Sequence, residues 1–153
     1  MEDVMTKLSK LKQYCTFYLD GHYFGINVLD VQEVFRFQEM TNIPMAPKVA
    51  RGLINLRGQI ILAVDLRLRL GLPDTQEDLI PMNVVVRTEG GEVVSFLVDA
   101  IGDVMEVSDE KFETPPDTLS PTMRELISGV YKLEKELLLI LNIEKAIVLD
   151  AVA

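Results

Sequence analysis

The chain has 153 residues, 48% hydrophobic and 25% charged, with one cysteine, one histidine and a formal net charge of −9, enough for one compact domain or two very small ones sharing a core. That charge repels nucleic acid and anionic lipid at long range, and a lone Cys15 excludes an intramolecular disulfide or a Cys-rich metal site. The longest apolar stretches, 59–64 and 137–141, fall far short of the roughly 20 residues that span a bilayer, and the acids Glu2 and Asp3 are unlike a secretory start, so a cytoplasmic protein without direct membrane contact is expected.

Val4, Leu8 and Leu11 stand at helical spacing, so residues 1–13 read as an N-terminal arm with a short amphipathic helix over 3–12. From Tyr14 the pattern becomes aromatic and β-branched: 14–19 and 23–28 flank Asp20-Gly21-His22 as a hairpin. Residues 31–37 predict another strand. Ile43-Pro44-Met45-Ala46-Pro47 predicts an extended loop, because each proline pushes its predecessor out of the helical region. Residues 52–56 and 59–64 form a second hairpin about Arg57-Gly58, after which Asp65 caps a short helix through Leu70 with Gly71 as its stop. Beyond a polar connector at 73–78, strands 82–87 and 92–98 flank Thr88-Glu89-Gly90-Gly91, and 101–107 forms a further strand. An acid- and proline-rich loop over 108–121 precedes a fourth hairpin, 129–133 and 137–141, and a helix over 143–149.

Residues 52–67 align without gaps with 129–144: each copy reads glycine, strand, polar turn, strand, then Asp65 or Asn142 placed to cap a helix. A weaker echo pairs 26–34 with 96–104. Two such halves are too few for a solenoid but suit two small barrels packed together, which also hides strand edges.

Chemistry-bearing motifs are sparse. Cys15 and His22 lie on the two arms of one hairpin, where packing explains them better than a nucleophile pair. Asp99, Asp103 and Glu106, then Asp109, Glu110 and Glu113, lack the ligand spacing of a Ca²⁺ loop and read as a solvated acidic face. Gly90-Gly91 lacks the Lys-Ser/Thr of a phosphate loop. The densest basic cluster, Arg51, Arg57, Arg67 and Arg69, is interleaved with apolar residues, so nucleic acid is not expected as a partner. No metal, cofactor or catalytic residue is expected. A small-molecule or oligonucleotide-binding barrel is the runner-up reading and would need aromatic platforms on a basic face.

Residues 43–67 carry a proline pair, Gly52, Asn55-Leu56-Arg57-Gly58, an apolar strand and Asp65-Leu66-Arg67. This block resembles the signature of the CheW family. Residues 17–26, 31–34, 96–104 and 129–145 resemble it too, so the likeness covers about 14–148 and leaves 149–153 as a tail. Leu62 departs from it, standing where the family has proline. The resemblance implies a mostly β domain of two SH3-like five-stranded barrels with short helices, its halves meeting near 70–82 and free to exchange strands. It further implies a non-catalytic chemotaxis adaptor in the cytoplasm, recruited to membrane-associated receptor arrays. There it would couple the regulatory domain of a CheA-like histidine kinase to the cytoplasmic tip of a chemoreceptor. Carried over by position, the receptor contacts are Val31, Glu33, Val34, Asn83 and Val104, with Gly52, Arg57 and Gly58 in a structural or coupling role.

Overall fold

The computed structural model describes residues 4–5, 10–36, 39–73 and 80–149. Most of the predicted 3–12 helix, the 73–78 connector and the 149–153 tail lies outside the described residues. The chain begins with the hairpin β1 (Leu11–Leu19) and β2 (His22–Asn27), followed by a 3-10 turn, Val28–Asp30, and strand β3 (Val31–Arg36). Next come β4 (Ala50–Leu56), β5 (Gln59–Asp65) and helix α1 (Leu66–Arg69), then β6 (Met82–Arg87) and β7 (Val93–Val98). The C-terminal part holds β8 (Ala100–Ile101), β9 (Met105–Ser108), α2 (Pro121–Leu126), β10 (Ile127–Lys132), β11 (Leu137–Leu141) and α3 (Ile143–Ala146).

Turn chemistry explains the first two hairpins. Each closes on two residues with positive φ, Asp20 at 50° with Gly21 at 78°, and Arg57 at 52° with Gly58 at 86°. That is the type I′ combination whose twist matches the strands it joins. The predicted strand 101–107 is instead two pieces, β8 and β9, which pair with successive stretches of β1. Thr16 causes the break: its hydroxyl donates to the Asp103 carbonyl at 2.5 Å while its own carbonyl accepts from the Gly102 amide at 2.8 Å. The ladder is thereby interrupted opposite β1. Helix α2 was not predicted, although Ser120 caps it by accepting from the Met123 amide at 3.3 Å and Pro121 opens its first turn. The C-terminal helix ends at Ala146, earlier than expected.

The strands form two sheets. One runs β3-β6-β7-β5-β4; the other runs β10-β11-β2-β1, with β8 and β9 sharing the outer side of β1, so each has five strands when β8 and β9 are taken as one interrupted strand. The first sheet is drawn from one continuous stretch, β3 to β7, and the second brackets it from both sides in sequence. Residues 70–82 therefore join two elements of one sheet, and the chain crosses between sheets at Val28–Asp30 and again at Asp99.

The repeat is realised in the pairing. Gly52 pairs with Ala63 just after a bulge in β4, and its counterpart Gly129 pairs with Ile140 just after a bulge in β10. Parallel pairings follow the same correspondence, Leu62 with Val94 in one sheet and Leu139 with Phe24 in the other. Asp65 and Asn142 both cap as expected, accepting from the amides of Leu68 and Lys145 at 3.1 Å.

Strands β2, β6, β7 and β11 are buried almost throughout, as strands covered on both faces must be. A shared core joins Phe17, Phe24 and Ile26 of one sheet to Val84, Phe96 and Val98 of the other. Each fully buried phenylalanine there stabilises the fold by about 2–3 kcal/mol. Each sheet also keeps an interior of its own, Tyr14, Tyr131 and Leu138 in one, Ile54, Ile61 and Val85 in the other.

Candidate partner-binding face

Strand β3 is an outer strand of its sheet, pairing with β6 alone within the sheet order. Its burial alternates, with Gln32, Val34 and Arg36 outward and Val31, Glu33 and Phe35 more sheltered. Val31 packs against the shared core, Val34 is 38% exposed, and a register shift separates Val31 from Glu33. Glu33 is held by the β4–β5 turn: Arg57 donates from Nη1 to Oε2 at 2.9 Å and from Nη2 to Oε1. This two-pronged bond raises the affinity of the Arg57 guanidinium for its proton, through the hydrogen bond first and the carboxylate charge second. Gly58 completes the turn, its amide donating to Asn55 Oδ1 at 2.9 Å.

Gly52 lies under a loop. A Cβ there would stand 2.8 Å from the Thr41 carbonyl, and Thr41 and Leu53 exchange backbone bonds across the same contact. Asn83 occupies the interior: it is fully buried, donates to the Arg36 carbonyl at 3.3 Å and accepts from the Ser95 hydroxyl at 2.8 Å. It ties β3, β6 and β7 together and offers no surface to a partner, because a buried amide needs those bonds for itself. Val104, 58% exposed, sits between β8 and β9 on the broken edge of the other sheet.

Residue-type reasoning missed Leu29. It is 88% exposed at the first crossover between sheets, where Asn27 Oδ1 accepts from the Leu29 amide at 3.0 Å and tightens the 3-10 turn. Leu29, Val28 and Asn27 line an open groove of about 510 Å³ with Leu11, Lys12 and Glu106 of β1 and β9. The sequence signal was faint: an asparagine followed by two aliphatic residues at the end of a hairpin.

The four clustered arginines are each bound within the fold. Arg51 pairs with Asp65, Arg57 with Glu33 and Arg67 with Asp99, while Arg69 donates to the Ala146, Lys145 and Val148 carbonyls at the end of α3. Asp99 is accordingly not part of a solvated acidic face as expected, whereas Asp103 and Glu106 are exposed. Cys15 faces Ile26 and His22 faces Leu19, at opposite ends of the hairpin ladder. Burial pushes the Cys15 thiol up, away from nucleophilic chemistry. Phe17, Phe24, Phe96, Tyr14, Tyr23 and Tyr131 are all buried, so these six rings are spent on core, while Phe112 is 39% exposed. Among the described residues no helix is long and apolar enough to cross a membrane, and no group of three or more His, Cys, Asp or Glu is set to hold a metal.

Paired five-stranded sheets around one core, with an apolar crossover and an ion-paired outer strand, define a β-rich domain of two packed sheets. The CheW-like domain family matches residues 13–150, and the chain belongs to that family. It is 29% identical to the chemotaxis protein CheW of Klebsiella aerogenes over 88% of this chain and 80% of that one. Identity to the chemotaxis protein CheW of Thermotoga maritima is 27% over 93% of both chains. The crystal structure of the scaffolding protein TtCheW from Thermoanaerobacter tengcongensis superposes with a TM-score of 0.76 at 28% identity, covering 86% of this chain and 88% of that one.

Proposed function

We propose that this chain is a non-catalytic chemotaxis adaptor that binds the regulatory domain of a CheA-like histidine kinase and the cytoplasmic tip of a chemoreceptor, and so joins them in one signalling assembly. The observation that carries the reading is the Glu33–Arg57 ion pair on an outer strand beside exposed Val34. An apolar residue with a fixed charge next to it suits an amphipathic helix, the valine supplying contact area and the carboxylate setting register. Val104 would extend that strip, Val31 would back it from the core, Arg57 and Gly58 would hold Glu33 in place, and Gly52 would keep the neighbouring loop close. Asn83 would act from beneath, by holding β3 on β6.

The adaptor would work in the cytoplasm and reach the membrane only through the receptor. Coupling follows if receptor conformations differ in how well they bind the adaptor while it holds the kinase. The test is a titration against a receptor-tip fragment and, separately, the kinase regulatory domain. Saturable binding to both is expected, with Glu33→Lys losing the receptor fragment and keeping the kinase domain. Failure of the unaltered chain to bind either one overturns the reading.

A further inference from the structure

Arg67 lies on α1, directly after β5, and is 6% exposed. Its guanidinium reaches three separate parts of the chain. Nη2 donates to Asp99 Oδ2 in the crossover between sheets; Nη1 donates to the Pro73 carbonyl at 3.0 Å and approaches Asp20 Oδ1, at the β1–β2 turn of the other sheet, at 3.4 Å. Asp99 is held from the other side, its Oδ2 accepting from the Asp20 amide at 2.9 Å and its own amide donating to the Tyr18 carbonyl at 3.0 Å. One arginine thus bonds its own sheet's connector, the link between sheets and the far sheet's hairpin.

Arg67 Nε is also the buried side-chain polar atom left without a partner among the described residues. An unsatisfied buried donor is costly, and apolar residues of similar volume commonly replace buried ion pairs without loss of stability. The arginine is therefore poorly explained by stability alone and well explained by direction. Hydrophobic burial between the sheets is non-directional, whereas a planar fork aimed at fixed acceptors sets a direction.

We propose that Arg67 is a positioning residue that fixes the angle between the two sheets, and with it the relative placement of Val34 and Val104, which lie on different sheets. The test compares backbone residual dipolar couplings of the unaltered chain with those of the Arg67→Met/Asp99→Asn double variant, which removes both charges together. One alignment tensor should fit both sheets in the unaltered chain, and two should be needed in the double variant. A single tensor with unchanged relative orientation in the variant overturns the proposal. If the double variant does not fold, Asp99→Asn alone is read in the same way, since it weakens the fork while keeping the side-chain shape.

The consequence for partners rests on the adaptor reading. In the double variant receptor-tip binding, which draws on Val34 from one sheet and Val104 from the other, should weaken about tenfold, because the two parts of the strip are no longer held ready for one helix. Should neither partner bind the unaltered chain, the adaptor reading fails, and the tensor comparison still decides the role of Arg67.

Discussion

Glu33 and Arg57 meet through both guanidinium prongs although one belongs to an outer strand and the other to the tip of a different hairpin. Arg57 reaches Glu33 because its positive φ of 52° turns the chain back at that point. The bond is solvent-exposed, so it orders a surface and does little to hold the fold. Arg57→Ala should leave the thermal midpoint within a few degrees of the unaltered value, and weaken receptor-tip binding by about tenfold or more through loss of a fixed charge at the rim. Calorimetry and a binding titration on the same sample check both halves; a large drop in midpoint would assign the pair to stability instead.

The glycines of the repeat are under a harder constraint. A Cβ at Gly129 would run into the Phe112 ring and stand 2.6 Å from the Glu113 carbonyl, which is backbone and is held by paired bonds to Val130 of 2.8 and 2.9 Å. Gly129→Ala should therefore cost about 1–3 kcal/mol by forcing that contact apart. Urea denaturation measures the cost, and faster amide exchange at Val130 would locate it.

The two helix caps of the repeat differ in what else they hold. Asn142 only caps, so Asn142→Ala should cost about 1 kcal/mol. Asp65 caps Leu68 and also accepts from Arg51 Nη1 at 3.0 Å in a buried position, so Asp65→Ala should cost about 2 kcal/mol or more. Equal losses in denaturant melts would show that the Arg51 contact adds nothing.

Asp30 predicts a pH dependence of definite sign. Burial, then the charges of Glu144 and Glu89, raise its pKa. The folded chain thus holds this proton more tightly than the unfolded one, and stability falls as pH rises through the window between the unfolded and folded values. Asp30→Asn should raise the midpoint at pH 7, flatten the loss above the ordinary carboxylate range and leave acid stability nearly unchanged. A parallel downward shift at every pH would refute this.

Local structure was largely legible in the sequence, because hairpins announce themselves through paired turn residues such as Asp20-Gly21 and Arg57-Gly58. Sheet membership was much less so. The parallel pairings of β5 with β7 and of β11 with β2 join segments far apart in sequence, and no turn residue encodes them. The break at Gly102 depends on the Thr16 hydroxyl reaching across the ladder, which periodicity along one strand cannot register. Asn83 was named from the resemblance alone; its burial between Arg36 and Ser95 is set by tertiary packing that no local pattern encodes. Ser120-Pro121, by contrast, is a readable helix start, a capping serine followed by a proline in the first turn, set in a proline-rich stretch.

The bracketing of one sheet by the other sets an order on synthesis. Strands β3 to β7 form a sheet from an uninterrupted run of chain, which can pair as soon as that run has left the ribosome. The β1–β2 hairpin, made before that run, must wait for β11, made after it, before the free edge of β2 is covered. Until β11 emerges the nascent chain therefore carries an aromatic hairpin with one open edge, and mispairing there between neighbouring chains is the hazard its cell has to manage.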